Sequence, residues 1–271
     1  MTPLLTLKEH ALLIAARRNG AHTVAASLDL YRTVIDIEIH AEYWTVGGKQ
    51  FPYMENCKER TIYHWNETQF EPVARYTQSL IKLVPTQWGA PTFEIDGIKM
   101  LPTAKVSPYE DAQRKVKLID PPGKVVLDTC GGLGYFAACC VEQRVAKVLS
   151  YEKNPDVIWL RSINPWSPAT GEALTLVLGD VTQWITTVPD SSVDAALHDP
   201  PRFGIAGELY SQAFYDQLAR VIKRRGKLFH YTGTPNKLTS GRNVPNEVSK
   251  RLQQAGFATT LNGDGVLAYK K

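Results

Sequence analysis

Residues 125–137 read Val-Val-Leu-Asp-Thr-Cys-Gly-Gly-Leu-Gly-Tyr-Phe-Ala, and this segment constrains the fold more than any other. A short apolar run ends in Asp128. Three glycines (Gly131, Gly132 and Gly134) follow, and a small-residue run through Ala137, Ala138, Cys139 and Cys140 opens a helix. Glycine turns sharply and lets the backbone approach a ligand with no Cβ in the way. Strand, glycine loop and helix in that order form the unit on which a nucleotide-like ligand sits at the edge of a parallel sheet. The glycine spacing is not the G-x-G-x-x-G of the dinucleotide fold, which speaks against a nicotinamide cofactor.

From about Pro121 onward, strand-like and helix-like segments alternate, the pattern of a parallel α/β sheet. The expected strands are 124–128, 147–152, 175–180, 193–199 and 227–231, with two more in 258–269 around the turn Asn262-Gly263-Asp264-Gly265. Helices are expected over 134–145, 154–163, 208–222 and 244–255. The first hundred residues differ. A helix is expected over 7–18, a half-buried strand over 31–40 and hairpins over 43–53 and 92–100. The chain is therefore expected to hold a smaller α+β N-terminal domain, residues 1–105, acting as a lid or substrate domain. A catalytic domain, residues 106–271, should follow, with 103–111 as the connection.

Acids end successive strands of the second part. Asp128 ends the first, and Glu152, 24 positions later, ends the second, where a carboxylate can accept both ribose hydroxyls. Asp180, in Leu-Gly-Asp-Val (178–181), ends the third, placed to accept from an adenine amino group. Asp199, in His-Asp-Pro-Pro-Arg-Phe (198–203), ends the fourth. Taken singly, Glu152 and Asp180 read first as solvated helix caps, and Asp199 before two prolines also reads as a turn residue. Jointly they line the edge that forms the ligand crevice of open α/β sheets.

Composition narrows the classes of partner. With 44% hydrophobic and 21% charged residues the 271-residue chain is an ordinary globular protein, and no apolar run is long enough to cross a bilayer. Residues 1–105 hold 11 Lys/Arg against 11 Asp/Glu, and residues 106–271 hold 20 against 16, so neither part carries the concentrated basic face that phosphate neutralisation needs. The cluster Lys223-Arg224-Arg225-Gly226-Lys227 reads as charge at a helix end. Nucleic acid and membrane are not expected as partners, and a homodimer is left open. The apolar patch 11–16 is followed rather than preceded by Arg17-Arg18, so no secretory signal is expected. Cys57, Cys130, Cys139 and Cys140 lack metal-ligand spacing, which fits a reducing, cytoplasmic setting with no metal.

The sequence Asp-Thr-Cys-Gly-Gly-Leu-Gly (128–134), with Glu152, Asp180 and Asp-Pro-Pro (199–201), resembles the class I S-adenosyl-L-methionine-dependent methyltransferases over about residues 105–271. The resemblance implies a Rossmann-like α/β sheet, mostly parallel and of seven strands. It also implies S-adenosyl-L-methionine as cofactor, with Gly131, Gly132 and Gly134 facing the methionyl part, Glu152 the ribose, and Asp180 with Val181 the adenine. Asp128, Tyr135, Lys153, Asp199, Pro200 and Tyr109 complete the expected cofactor set, Tyr109 from a segment (106–111) that could close over it. A narrower similarity, through blocks such as Ile-Asp-Gly-Ile (95–98), Asn-Pro-Trp (164–166), Ala-Gly-Glu-Leu-Tyr (206–210) and Phe-His-Tyr (229–231), joins the chain to a largely uncharacterised archaeal-type branch of predicted methyltransferases.

The departures concern the acceptor. Amine methyltransferases carry an aromatic residue directly after the two prolines; here Arg202 stands there, with Phe203 next. A guanidinium suits a carboxylate or phosphate, on a small-molecule acceptor or on the cofactor itself. The 5-methyluridine RNA methyltransferases share Asp-Pro-Pro-Arg but need a later nucleophilic cysteine, and none follows Cys140. Asp199, Arg202, His230 and Tyr231 are the candidate catalytic groups, although a histidine flanked by Phe229 and Tyr231 on a strand, as His230 is, is more often a satisfied core residue. The favoured reaction is methyl transfer. Spermidine synthases share the β-rich N-terminal layout, but Leu133 replaces their loop aspartate. Attack by the cofactor's own amino group, closing azetidine-2-carboxylate and releasing methylthioadenosine, is the related alternative to aminopropyl or aminocarboxypropyl transfer. RNA modification is the less favoured reading.

Overall fold

The computed structural model describes residues 2–233 and 243–271. By contact the chain divides into two compact units, one of Met1–Pro108 with Ser162–Trp166 and one of Tyr109–Arg161 with Ser167–Lys271. A single boundary after residue 105 does not anticipate the excursion of 162–166.

The N-terminal unit is built of short antiparallel sheets around one helix. The strands are β1 (Leu4–Leu5), β2 (Thr23–Ala26), β3 (Ile35–Ile39), β4 (Tyr43–Val46), β5 (Lys49–Pro52), β6 (Tyr63–Trp65), β7 (Phe70–Pro72), β8 (Ala74–Tyr76), β9 (Leu80–Val84), β10 (Thr92–Ile95) and β11 (Ile98–Lys99). They form sheets ordered β1-β6-β7, β2-β3-β4-β5 and β11-β10-β9-β8. Helix α1 (Leu7–Arg18) starts where Thr6 and Glu9 make a capping box, the Thr6 side chain accepting from Lys8 N and Glu9 accepting from Thr6 N at 3.2 Å. Alternation predicts the faces of β3, where Ile37 and Ile39 are buried and Asp36 is exposed. The β4–β5 turn uses Gly47 and Gly48 at φ +57° and +74°, the left-handed pair a two-residue hairpin requires. Trp44 is wholly buried and stacks on Phe51 at 4.7 Å between ring centres.

The second unit is a seven-stranded sheet. Helix α2 (Pro108–Ile119) leads into β12 (Val125–Asp128), α3 (Tyr135–Glu142), β13 (Lys147–Glu152), α4 (Pro155–Ile163), β14 (Leu174–Leu178), α5 (Val181–Trp184) and β15 (Val193–His198). After these come α6 (Gln212–Val221), β16 (Ile222–Tyr231), α7 (Val244–Gln254), β17 (Phe257–Asn262) and β18 (Gly265–Lys270). The order is β14-β13-β12-β15-β16-β18-β17, with β12 to β16 parallel and β18 antiparallel to its neighbours. Strand order reverses between β12 and β15, which opens the crevice at their carboxyl ends. Cys139 and Cys140 are buried in α3, as small packing residues.

Three local expectations need correction. Residues 108–119 form a helix, not a bare connection, because Ala112, Lys115, Val116 and Ile119 recur at helical spacing and are all buried. The helix expected over 208–222 is broken at Ser211, whose side chain caps α6 by accepting from Phe214 N at 3.1 Å. The basic cluster 223–227 lies within β16 and not in a helical turn. Arg225 sits there at φ +63°, beside a register shift against β15, and Lys223 pairs with Asp194 at 2.7 Å. Among the described residues no helix is long and apolar enough to cross a membrane.

At the β17–β18 turn, a Cβ on Gly265 would lie 2.5 Å from the His230 carbonyl oxygen and 2.6 Å from Phe229 Cζ. Gly265→Ala should therefore cost roughly 1–3 kcal/mol. Urea unfolding reads this, and an unchanged midpoint would show that the hairpin accommodates the methyl group.

Candidate active site at the carboxyl edge of the sheet

The loop between β12 and α3 is held by its own backbone. Gly131 N donates to Tyr151 O at 2.7 Å, Gly134 N to Gly131 O at 2.8 Å, and Gly132 N to Glu152 Oε2 at 2.9 Å. Gly132 and Gly134 take φ of +49° and +82°. Gly134 is the N-cap of α3, and neither a capping side chain nor an acidic first-turn residue neutralises that helix end.

Beneath the loop lies an arrangement that the sequence did not announce. Arg161, on α4, is 5% exposed, and a Cβ on Gly134 would lie 2.5 Å from its Cζ and 2.7 Å from its Nε and Nη2. A Cβ on Gly131 would lie 2.4 Å from Ser150 Oγ and 3.3 Å from Arg161 Nη1. These glycines are required by what lies under them. Asp128 is 1% exposed and accepts from Ser150 Oγ at 2.8 Å, so it supports the loop from inside rather than lining an open edge. Burial pushes its carboxyl up to about 6, against the Ser150 hydrogen bond and the Arg161 charge, which pull it down.

Glu152 and Asp180 stand at the ends of β13 and β14. Each Glu152 oxygen accepts one backbone N–H, from Gly132 and from Asn154 at 2.8 Å, which leaves lone pairs for a further donor. Burial raises its carboxyl. Asp180 Oδ1 caps α5 through Thr182 N at 2.9 Å and Thr182 Oγ1 at 2.7 Å, while Oδ2 pairs with the exposed Lys153 at 2.8 Å. The capping role weighed for Asp180 is present; it uses one oxygen. Val181 is buried beside it. The Tyr109 hydroxyl donates to Glu142 at 2.5 Å and its ring meets that of buried Tyr135 at 5.6 Å, so this pair packs together over α3.

At β15, Asp199 is joined to α2. The Lys115 ammonium, 3% exposed, sits 2.6 Å from Asp199 Oδ2, 2.8 Å from Asp111 Oδ2 and 3.9 Å from the Tyr231 ring centre. Arg114 extends the cluster to Asp111 at 2.9 Å and Asp264 at 2.6 Å. Burial lifts the Asp199 carboxyl above the usual range, and Lys115 opposes the shift. Burial likewise raises the Tyr231 phenol, to about 12. Arg202 is exposed, and among the described residues no acid pairs with it; Pro200 is buried.

His230 does not belong to this group. It is wholly buried, its Nδ1 bonds the Tyr231 carbonyl at 2.9 Å and its Nε2 takes the Tyr215 hydroxyl at 3.0 Å. Burial then depresses its basicity, with His198 adding to the effect. A neutral core histidine with both nitrogens used has no proton to exchange at the edge. Sequence reasoning missed Lys115, Asp111 and Arg161. The i,i+4 pair Asp111–Lys115 on an amphipathic segment was a usable signal for the first two; Arg161 had none.

Comparison with known proteins agrees with this geometry. A family model described as S-adenosyl-L-methionine-dependent methyltransferase matches residues 159–261. An uncharacterized protein of Methanocaldococcus jannaschii is 37% identical over 257 residues, spanning 90% of this chain and 88% of its own. A spermidine synthase in complex with the transition-state analogue AdoDATO superposes with a TM-score of 0.59 at 16% identity, with 73% of each chain covered. The spermidine synthase of Thermotoga maritima gives 0.56 at 16% identity, over 85% of this chain and 78% of that one. These two likenesses concern the fold. The chain belongs to the S-adenosyl-L-methionine-dependent methyltransferases of class I fold, in one family with the Methanocaldococcus protein, and its cofactor is S-adenosyl-L-methionine. The residues present suit that molecule: an uncapped helix end, a guanidinium to which no described residue hydrogen-bonds and two acids with spare lone pairs lie at one edge.

Because the folded pKa of Asp128 lies above that of a free aspartate, the folded state takes up the proton first. Stability from this group is full below about pH 4 and is lost as pH rises through about 6. Asp128→Asn removes that loss. Its unfolding free energy relative to the parent should climb across the window, by up to about 3 kcal/mol at neutral pH. Urea unfolding between pH 4 and 8 measures this; a pH-independent difference would place the titration elsewhere.

Proposed function

We propose that the protein transfers the methyl group of S-adenosyl-L-methionine to a small acceptor bearing an anionic group, at the carboxyl edge of β12 and β15. The observation that carries this reading is Asp199. It ends the strand beside the glycine loop, held by buried Lys115 under Tyr231, with Arg202, which pairs with no acid among the described residues, three residues on. When bound, S-adenosyl-L-methionine supplies an electrophilic methyl carbon on a sulfonium. The chain's task is then alignment and, where the acceptor carries a proton, its removal. The Gly131, Gly132 and Gly134 loop would take the methionyl part, Glu152 the ribose hydroxyls, and Asp180 with Val181 the adenine. Asp199, a carboxylate whose proton affinity burial has raised, is suited to accept from an acceptor N–H or O–H. Arg202 offers a planar fork to an acceptor carboxylate or phosphate.

A second reading keeps the cofactor and breaks a different carbon–sulfur bond. The likeness to two spermidine synthases favours it at the level of fold. The cofactor's own amino group, or an external amine, would attack a side-chain carbon, and the electron pair of the broken bond would stay on sulfur as methylthioadenosine leaves.

The released nucleoside separates the two. Incubation with S-adenosyl-L-methionine and panels of carboxylated or phosphorylated acceptors, followed by mass spectrometry, should yield S-adenosylhomocysteine. Methylthioadenosine, above all without an acceptor, would replace methyl transfer by the second reading. Asp180→Asn keeps the helix cap, since asparagine caps as well as aspartate. It should weaken S-adenosylhomocysteine binding about tenfold or more by calorimetry, the loss of one charge-assisted hydrogen bond; unchanged affinity would remove Asp180 from the adenine site.

A further inference from the structure

Two sources of positive charge converge on Gly134. The first is the start of α3, a helix end with no capping side chain and no acid in its first turn. The second is the Arg161 guanidinium, directly behind the same residue. All three Arg161 nitrogens are buried, and among the described residues none has a hydrogen-bond partner. Asp128 and Glu152 act on it through charge but do not hydrogen-bond to it; Asp128 accepts from Ser150 and Glu152 from backbone N–H groups. A buried guanidinium with every donor unused is costly, and such groups are ordinarily satisfied by something that arrives. The backbone of Gly131 and Gly134 passes close to it, and a Cβ on Gly134 would collide with the guanidinium.

We propose that Arg161, together with the start of α3, binds the carboxylate of the cofactor's methionyl arm at the Gly131–Gly134 turn. An anion at a helix start backed by a guanidinium meets the two complementary elements such a group needs. The assignment rests on the proposed placement of the cofactor at the glycine loop and adds to it the residue that selects the amino-acid end. It also leaves Arg202 for the acceptor, which the sequence alone could not decide.

The test compares two ligands that share the adenosine and the thioether and differ in the amino-acid arm, S-adenosylhomocysteine and methylthioadenosine. By calorimetry, Arg161→Gln should lose at least about tenfold in affinity for the first and stay within about twofold for the second. Arg202→Gln should leave both unchanged. An equal loss for both ligands, or no loss for either, would overturn the assignment, since a purely structural role does not distinguish them. If Arg161→Gln does not fold, the unmodified protein answers instead: decarboxylated S-adenosylhomocysteine, which keeps the amine, should bind at least about tenfold more weakly than the parent ligand. Equal affinity there overturns the proposal. Failure of the underlying reading is distinct, because then neither nucleoside would bind the unmodified protein.

Discussion

The turn from β12 into α3 has to pass over a buried guanidinium, and much of the edge follows from that. Arg161 leaves no room for a Cβ at Gly134 and little at Gly131, so the loop is glycine-rich for the sake of its own packing. Once glycine is required, the backbone can take the left-handed angles that carry it from strand to helix in six residues. The same compression draws Glu152 toward Gly132 N and Asp128 onto Ser150. A loop so held presents donors and charge in fixed positions before any ligand arrives, which lowers the cost of ordering on binding.

A second constraint acts across the switch point. Lys115 is nearly inaccessible to solvent and touches two carboxylates and an aromatic face. Removing an ammonium from water is costly unless such partners surround it. Its burial therefore ties α2 to the end of β15 and holds Asp199 in place. Arg114 and Asp264 continue the chain of charges toward the β17–β18 turn. The acid that ends β15 is thus part of a network, and its chemistry is set by Lys115 as much as by its own position.

Much of the site was legible because parallel α/β sheets place strand ends side by side. Asp128, Glu152, Asp180 and Asp199 could be put on one edge from the alternation of strands and helices alone. Their individual roles could not. Asp180 proved to be both cap and ion-pair partner, Asp128 an internal support, and His230 a core residue locked by Tyr215 and the Tyr231 carbonyl. The helix carrying Lys115 was readable from its spacing and was masked by a starting proline and a polar face. Arg161 was not readable at all, since an arginine in the last turn of a helix looks like surface charge meeting the dipole.

The sequence by itself determined the class of sheet and the position of the glycine turn, because periodicity, glycine and strand-end acids are local signals that survive without contacts; the cofactor came from the resemblance those motifs carry. Tertiary structure decided which charges are buried and which are answered. Lys115 and Arg161 lie 84 and 27 residues from the strand-end acid and turn glycine they govern, and no local pattern encodes that one is hydrogen-bonded and, among the described residues, the other is not. Burial and partnership are properties of the packed edge, and they set the charge of a group and the ligand it can hold.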